Sequence, residues 1–140
     1  MASIQIESTV DVSADTAWQA LRQVGQADKL FAPVLTAAEI AGDTRTVHFR
    51  NGPVMHERVL DVDDSRRRVA YSVLDAPGLS FHHASMQIVE DGASRCRFVW
   101  ITDFLPAEAA SSLKPLIEAG TTALKTNLER VGKQQAGVGA

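Results

Sequence analysis

LKPLIEAGTTALKTNLERV, residues 113–131, places Leu113, Leu116, Ile117, Gly120, Leu124, Leu128 and Val131 at steps of three and four. That spacing lines one side of a helix, so the last third of the chain reads as one long amphipathic helix. Asn127 falls on the same stripe, where a buried amide needs a partner, a ligand or water. Pro106 precedes the helical region, and Pro115 is expected to separate a first turn or two from the main helix, because its ring clashes with a continuous interior. From Gly132 the chain is polar and rich in glycine. The reading is a single domain over residues 1–132 and a flexible tail over 133–140.

Upstream the period changes to two. Ile4, Ile6, Val10 and Val12 alternate with Gln5, Glu7 and Asp11, the pattern of a half-buried strand. Ser13 can cap a helix with Asp15 in its first turn, an apolar stripe of Trp18, Leu21 and Val24, and Gly25 at its end. A second short helix over about 27–31 stops before Pro33. Segments 35–40, 44–50, 54–62, 69–74, 81–89 and 96–104 then read as strands. The turn signals between them include Gly42-Asp43, Asn51-Gly52-Pro53, Asp63 to Arg66, Ala76-Pro77-Gly78 and Glu90 to Ala93. Hairpin after hairpin means an antiparallel sheet with one packed face. The predicted architecture is α+β: a curved antiparallel sheet of about seven strands wrapped around the long C-terminal helix, with two short helices between strands 1 and 2.

Composition narrows the function. The chain has 140 residues, enough for one domain that buries its own core, and a net charge of -3, which argues against nucleic acid as the main partner. The run Arg66-Arg67-Arg68 reads as a solvated hairpin turn. Its one cysteine, Cys96, permits neither an intrachain disulfide nor a cysteine-based zinc site. The first residues lack the basic and apolar regions of a signal peptide, and no apolar run spans a bilayer, so a cytoplasmic protein is expected, as monomer or homodimer.

Glu57-Arg58-Val59-Leu60-Asp61-Val62-Asp63-Asp64, followed by Arg67 to Val73 with Tyr71, resembles the "ER(L/V)…DD…RR…(F/Y)S" hairpin of the START-like (SRPBCC) superfamily. Trp100, Phe104 and Pro106 resemble that superfamily's last strand, and Asn127-Leu128 its long helix. The likeness covers nearly the whole chain and points within the superfamily to the polyketide cyclase/dehydrase and lipid-transport group. It implies the helix-grip fold, also that of the birch-pollen allergen, with a hydrophobic cavity between the sheet and the C-terminal helix. Members bind lipids, polyketides or other apolar molecules there, and some are cyclases or hydrolases. The plant hormone receptors of the superfamily place a ligand-pairing lysine where this chain has Pro33 and Val34, so a receptor for a carboxylate hormone is not expected.

Adjacent strand residues point to opposite faces, so His82 and His83 cannot share one metal without a bulge. Ala84 and Met86 share the parity of His82, which places His82 inward and His83 in water. His82 is either a core histidine with one hydrogen bond or a ligand contact. His48 and His56 stand in no usable relation to it, and no metal or cofactor is expected. Glu57 is either a surface residue paired with Arg58 or with a neighbouring strand or, as the resemblance implies, a cavity carboxylate; burial in an apolar cavity would raise its pKa. Met55 and Val59 share its side, Leu60 and Val62 do not, and a β-bulge near Leu60 would reconcile the two. Cys96 reads as inert filler.

The candidate ligand-binding set is Met55, Glu57, Tyr71, Val73, His82, Ala84, Met86, Phe98, Trp100, Phe104, Leu116, Gly120, Ala123, Leu124 and Asn127. Gly120 and Ala123 are small and would leave volume opposite the curved sheet. The expected function is binding of a small hydrophobic molecule (a lipid, polyketide or aromatic metabolite). The alternative is a cyclase-, dehydratase- or hydrolase-type enzyme with Glu57 or His82 as general base. No nucleophile or catalytic motif assigns a reaction. The Ala76 to Ser80 loop, with Pro77 and Gly78, is the candidate lid.

Overall fold

The computed structural model describes residues 2–138. The elements run β1 (Ala2–Val10), α1 (Ala14–Leu21), a 3-10 turn (Val24–Gln26), α2 (Ala27–Leu30), β2 (Leu35–Ala41), β3 (Thr44–Phe49), β4 (Val54–Asp63), β5 (Arg68–Val73), β6 (Phe81–Glu90), β7 (Cys96–Leu105), a second 3-10 turn (Ala107–Ala109) and α3 (Ala110–Val138). The strands form one sheet in the order β1-β7-β6-β5-β4-β3-β2, every neighbour antiparallel. This is the helix-grip arrangement the sequence predicts.

Alternation decides which face packs. On β7, Cys96, Phe98, Thr102 and Phe104 are buried while Arg97 and Asp103 are exposed. On β1 the half-buried residues alternate with exposed ones until Val10, which is fully buried. The pairing of β4 with β5 shifts between Val59 and Asp61, a bulge at Leu60. It turns Leu60 out to solvent and lets Glu57 and Val62 both face the packed side.

Polar contacts fix the helices to the sheet. The Thr16 amide donates to Ser13 Oγ at 3.2 Å, capping α1. The tip of the β4–β5 hairpin docks on that helix. Trp18 Nε1 and Arg22 Nε each donate to Asp64 Oδ1 at 2.9 Å, and Arg67 donates to Asp15 at 2.8 Å. Asp63 Oδ1 accepts the Ser65 and Arg66 amides and closes the turn. At the other end, Lys125 Nζ donates to the Thr9 carbonyl at 2.7 Å and the Asp11 amide to Glu129 at 3.0 Å, binding α3 to the end of β1.

Two expectations about α3 are corrected. The helix runs through Pro115 without a break. The proline lies in the second turn on the exposed side, so the Ser111 carbonyl that it leaves without an amide donor is near solvent. The helix also continues past Gly132 to Val138, where a tail is expected. Gly132 packs against Val12, and Thr16 Oγ1 donates to Gln135 Oε1 at 3.1 Å, which holds this last part against α1. Residues 139–140 of the expected tail lie outside the described residues. No helix among the described residues is long and apolar enough to cross a membrane.

Asn127 Nδ2 donates to the carbonyls of Leu30 and Ala32 at 2.8 and 2.9 Å, so the amide on the apolar stripe finds its partners in the α2–β2 connection. Asn127→Ala is therefore expected to cost about 1–3 kcal/mol of stability. A lower urea midpoint with faster amide exchange in residues 27–34 is the expected result, and an unchanged midpoint would show these bonds to be dispensable.

Candidate functional site

The inner wall is built from the middle of the sheet and from α2 and α3. Phe31, Val34, Leu35, Val47, Phe49, Met55, Met86, Trp100, Leu113, Leu116 and Ile117 supply apolar surface around a cavity of about 70 Å³. Ala27 and Gly120 are its small residues, and Arg45, Glu57, Tyr71, His82 and Thr102 its polar ones. Outside it lies an open groove of about 730 Å³, rimmed by Pro33, Arg50, Asn51 and Pro53 on one side and Ser112, Pro115 and Ala119 on the other. Val34, Phe49, Met55 and Leu116 line both, so they form the neck between them. The Ala76–Ser80 loop, the expected lid, contributes no lining residue to either, and its Leu79 packs in the cluster of Phe104, Leu113 and Ile117 behind the wall.

Volume limits what the inner cavity holds as it stands. Seventy cubic ångströms is room for about two waters, whereas sites for organic ligands run to roughly 300–1,000 Å³. An organic occupant must therefore part the neck and extend into the groove.

Of the expected site residues, Met55, Glu57, Tyr71, His82, Met86, Trp100, Leu116 and Gly120 come together around the cavity. Val73, Ala84, Phe98, Phe104, Ala123, Leu124 and Asn127 do not line it. Ala84, Phe98 and Leu124 belong to the close-packed core, and Phe104 packs with Leu113 and Ile117 in a second cluster. Ala123 is buried and Val73 packs against the core from its edge. The reason is that the inner face is longer than the cavity, and most of it is filled. Gly120 opens no volume either: a Cβ there would lie 2.9 Å from the Trp100 ring, so the missing side chain makes room for the indole.

Arg45 and Glu57 dominate the electrostatics. They face each other across the β3–β4 ladder and are 6% and 7% exposed. Arg45 Nε and Nη2 both donate to Glu57 Oε1, at 3.0 and 2.7 Å, and Nη1 donates to the Val24 carbonyl at 3.1 Å. The guanidinium also lies 5.3 Å from the centre of the Tyr71 ring. Burial raises the Glu57 pKa above the ordinary carboxylate value, against the opposing charge and hydrogen bonds of Arg45. The same burial, with the Glu57 charge behind it, raises that of Tyr71. Arg45 is absent from the candidate set; its parity with Val47 and Phe49, which puts a charge on an apolar face, is the sequence signal that could have found this pair. The surface pairing with Arg58 is not formed; Arg58 approaches Asp43 instead, at 3.8 Å.

His82 lines the cavity two strands away, and burial, then the neighbouring His83, lowers its pKa. It is therefore neutral near pH 7. His83 faces the other side and stacks on Phe81. Strand β5 separates Glu57 from His82, so about 10 Å of sheet lies between their backbones. No hydrogen bond joins the two among the described residues, and a direct acid–base pair is not formed. They face one space from two sides. Phe31, Val34, Leu35 and Thr102 are lining residues that the candidate set lacks. The first three come from the α2–β2 connection, whose place over the sheet no periodicity reveals. The alternation that turns Phe98 and Phe104 inward does the same for Thr102.

The sequence matches the family described as polyketide cyclase/dehydrase and lipid transport over residues 1–129. The chain belongs to this family. Solved structures with the same fold include an uncharacterised protein from Bacillus thuringiensis, at a TM-score of 0.84 and 19% identity over 91% of this chain and 98% of that one. The Zhui aromatase/cyclase from Streptomyces superposes at 0.80 with 20% identity, over 96% of this chain and 95% of that one. Norcoclaurine synthase from Thalictrum flavum, in complex with dopamine and hydroxybenzaldehyde, superposes at 0.73 with 21% identity, over 93% and 85%. No curated protein matches the sequence. At these identities the structural likeness carries the fold alone.

For this family member, breaking the buried pair from one side is expected to be costly. Arg45→Met should lose about 3–5 kcal/mol, because it strands a buried carboxylate, while Arg45→Met with Glu57→Leu should recover most of that loss. A double-mutant cycle from denaturant melts reads the difference. The pH dependence has a definite sign. Folded Glu57 keeps its proton to higher pH than unfolded Glu57 does. Its contribution is present below the ordinary carboxylate value and is lost as pH rises through the raised folded value. Glu57→Gln should remove that decline from the stability curve, and an unaltered curve would place the titration elsewhere.

Proposed function

We propose that the protein binds a small hydrophobic molecule, with its polar end in the inner cavity and its bulk across the neck in the groove. The observation that carries this reading is the Arg45–Glu57 pair at the cavity wall. A buried ion pair is a weak source of stability compared with apolar residues of the same volume. Its two guanidinium bonds fall on one carboxylate oxygen, which leaves Oε2 of a cavity-lining residue free of protein donors among the described residues. A mostly apolar wall with a few fixed polar groups is what small-molecule sites look like. Membership of a family named for polyketide cyclisation, dehydration and lipid transport supports a ligand of this kind.

A second reading, a cyclase- or dehydratase-type enzyme, has one observation in its favour. Glu57 and His82 border one cavity, and their pKa values are pushed toward each other, up for the acid and down for the base. Environments that do this suit proton transfer near neutral pH. The sheet spacing between them means that they would work on a substrate from two sides.

Native mass spectrometry of gently purified protein, followed by organic extraction, tests the first reading. An adduct that disappears on denaturation is expected, and its mass gives the chemical class. Adding Leu116→Trp at the neck should abolish the adduct while the protein stays folded. A bare mass from protein offered a broad panel of lipids and aromatic metabolites would defeat the binding reading. If the extracted compound is turned over, Glu57→Gln or His82→Phe should lower kcat by about 10²-fold or more with KM changed little.

A further inference from the structure

Three buried polar atoms on the β6–β7 side of the cavity make no well-formed hydrogen bond within the protein: His82 Nδ1, Trp100 Nε1 and Thr102 Oγ1. Burial raises the pKa of Tyr71, and the Trp100 indole lies close enough to its hydroxyl to oppose that rise, without reaching hydrogen-bond geometry. All three residues line the cavity. Thr102 is 1% exposed. Orphaned buried groups are scarce in folded proteins, and each calls for an explanation. These three are also neighbours in the sheet. Trp100 and Thr102 lie two apart on β7 and share a face. His82 pairs with Phe104, two residues along from Thr102, which makes it a diagonal neighbour within side-chain reach. The other such atom among the described residues, His48 Nε2, is on β3, outside the cavity, 3.2 Å from Glu39.

We infer that Trp100, Thr102 and His82 form an oxygen-binding subsite that takes a carbonyl or hydroxyl oxygen of an uncharged ligand. The inference rests on the binding reading above and adds the chemistry of the buried end. An indole N–H only donates, so its partner must be an acceptor. The Thr102 hydroxyl can donate to the second lone pair of the same oxygen, and neutral His82 meets it or an attached proton according to its tautomer. A carboxylate would be refused. The Arg45 guanidinium donates from each of its nitrogens to Glu57 or Val24, and its charge is paired with that of Glu57, so the wall holds no uncompensated positive charge for a ligand carboxylate. Tyr71 and the apolar residues then hold the carbon skeleton.

The test uses three probes of one shape: acetophenone, ethylbenzene and benzoate. Binding to the full chain is followed by the indole N–H signals in ¹H–¹⁵N spectra. The chain has two tryptophans, and Trp18 Nε1, already bonded to Asp64 at 2.9 Å, is the internal reference. Acetophenone is expected to bind about three- to tenfold tighter than ethylbenzene, despite being less hydrophobic, and to move the Trp100 signal downfield while Trp18 stays. Benzoate should bind weakest. Thr102→Val should erase most of the acetophenone preference and raise the melting temperature of the free protein, because it removes an unpaired buried hydroxyl. Trp100→Phe should erase the preference independently. Equal affinity for acetophenone and ethylbenzene would assign these atoms to water and overturn the subsite while leaving apolar binding intact. A lowered melting temperature in Thr102→Val with the preference unchanged would make Thr102 structural and overturn it too. Benzoate binding best would overturn the preference for uncharged ligands. If none of the three binds while the native-mass adduct is present, the subsite is overturned and the binding reading stands; if the adduct is absent too, the binding reading itself fails.

Discussion

A seven-stranded sheet is wider than a helix. Six interstrand gaps make it about 29 Å across, and a helix with its side chains is about 10–12 Å wide. One helix can close only part of the concave face. Here α3 packs along β1, and the short α2 packs on β2 and β3 at the opposite edge. The short α1 covers one end of β6 and β7, and the rest of the middle strands is left to be covered by long side chains reaching in from both sides. The site follows from that mismatch: Phe31 comes from the α2 side, Trp100 rises from β7, and Leu113, Leu116 and Ile117 descend from α3. Where these do not meet, the cavity remains.

The polar residues fall where that cover is thinnest. Arg45 and Glu57 sit on β3 and β4, and the bulge at Leu60 lets the inward face of β4 carry Glu57 and Val62 together. Without it, a residue-by-residue alternation would turn one of them to solvent. The same strand then runs on to Asp63 and Asp64, which fasten the hairpin tip to α1 through Trp18 and Arg22. The Glu-Arg and Asp-Asp parts of one short motif therefore do different work. One end supplies the cavity carboxylate, and the other locks the sheet to the helix that closes its end.

This division explains what was legible in the sequence. Alternation in β7, the turn dipeptides and the 3.6-residue period of α3 are local signals, and they gave the element order and the sheet. Inward-facing residues were legible as a set, but parity cannot separate a filled core from a cavity. Phe98 and Trp100 have the same parity, yet one is core and the other wall. Nor could local pattern read the α2–β2 connection, because Phe31 and Val34 reach the site through the bonds from Asn127 to the Leu30 and Ala32 carbonyls, about a hundred residues away in sequence. Pro115 misled for a related reason. Its cost depends on depth within the helix and on solvent near the Ser111 carbonyl, and neither is visible from the residue alone.

Under the proposed binding function, that proline also bears on how a ligand would reach the cavity. The α2 side of the opening is held by two hydrogen bonds from Asn127, so it is the stiffer wall. The opposite rim is the start of α3, where Pro115 removes a backbone bond and Ser112 and Ala119 face solvent. Between them stand Met55 and Leu116, and the methionine is the unbranched, adaptable one of the two. On the proposed function, opening the neck would take side-chain rotation at Met55 and a small shift of the first turns of α3. The buried ion pair and the docked hairpin tip stay in place, so the polar groups keep their geometry while the apolar wall yields.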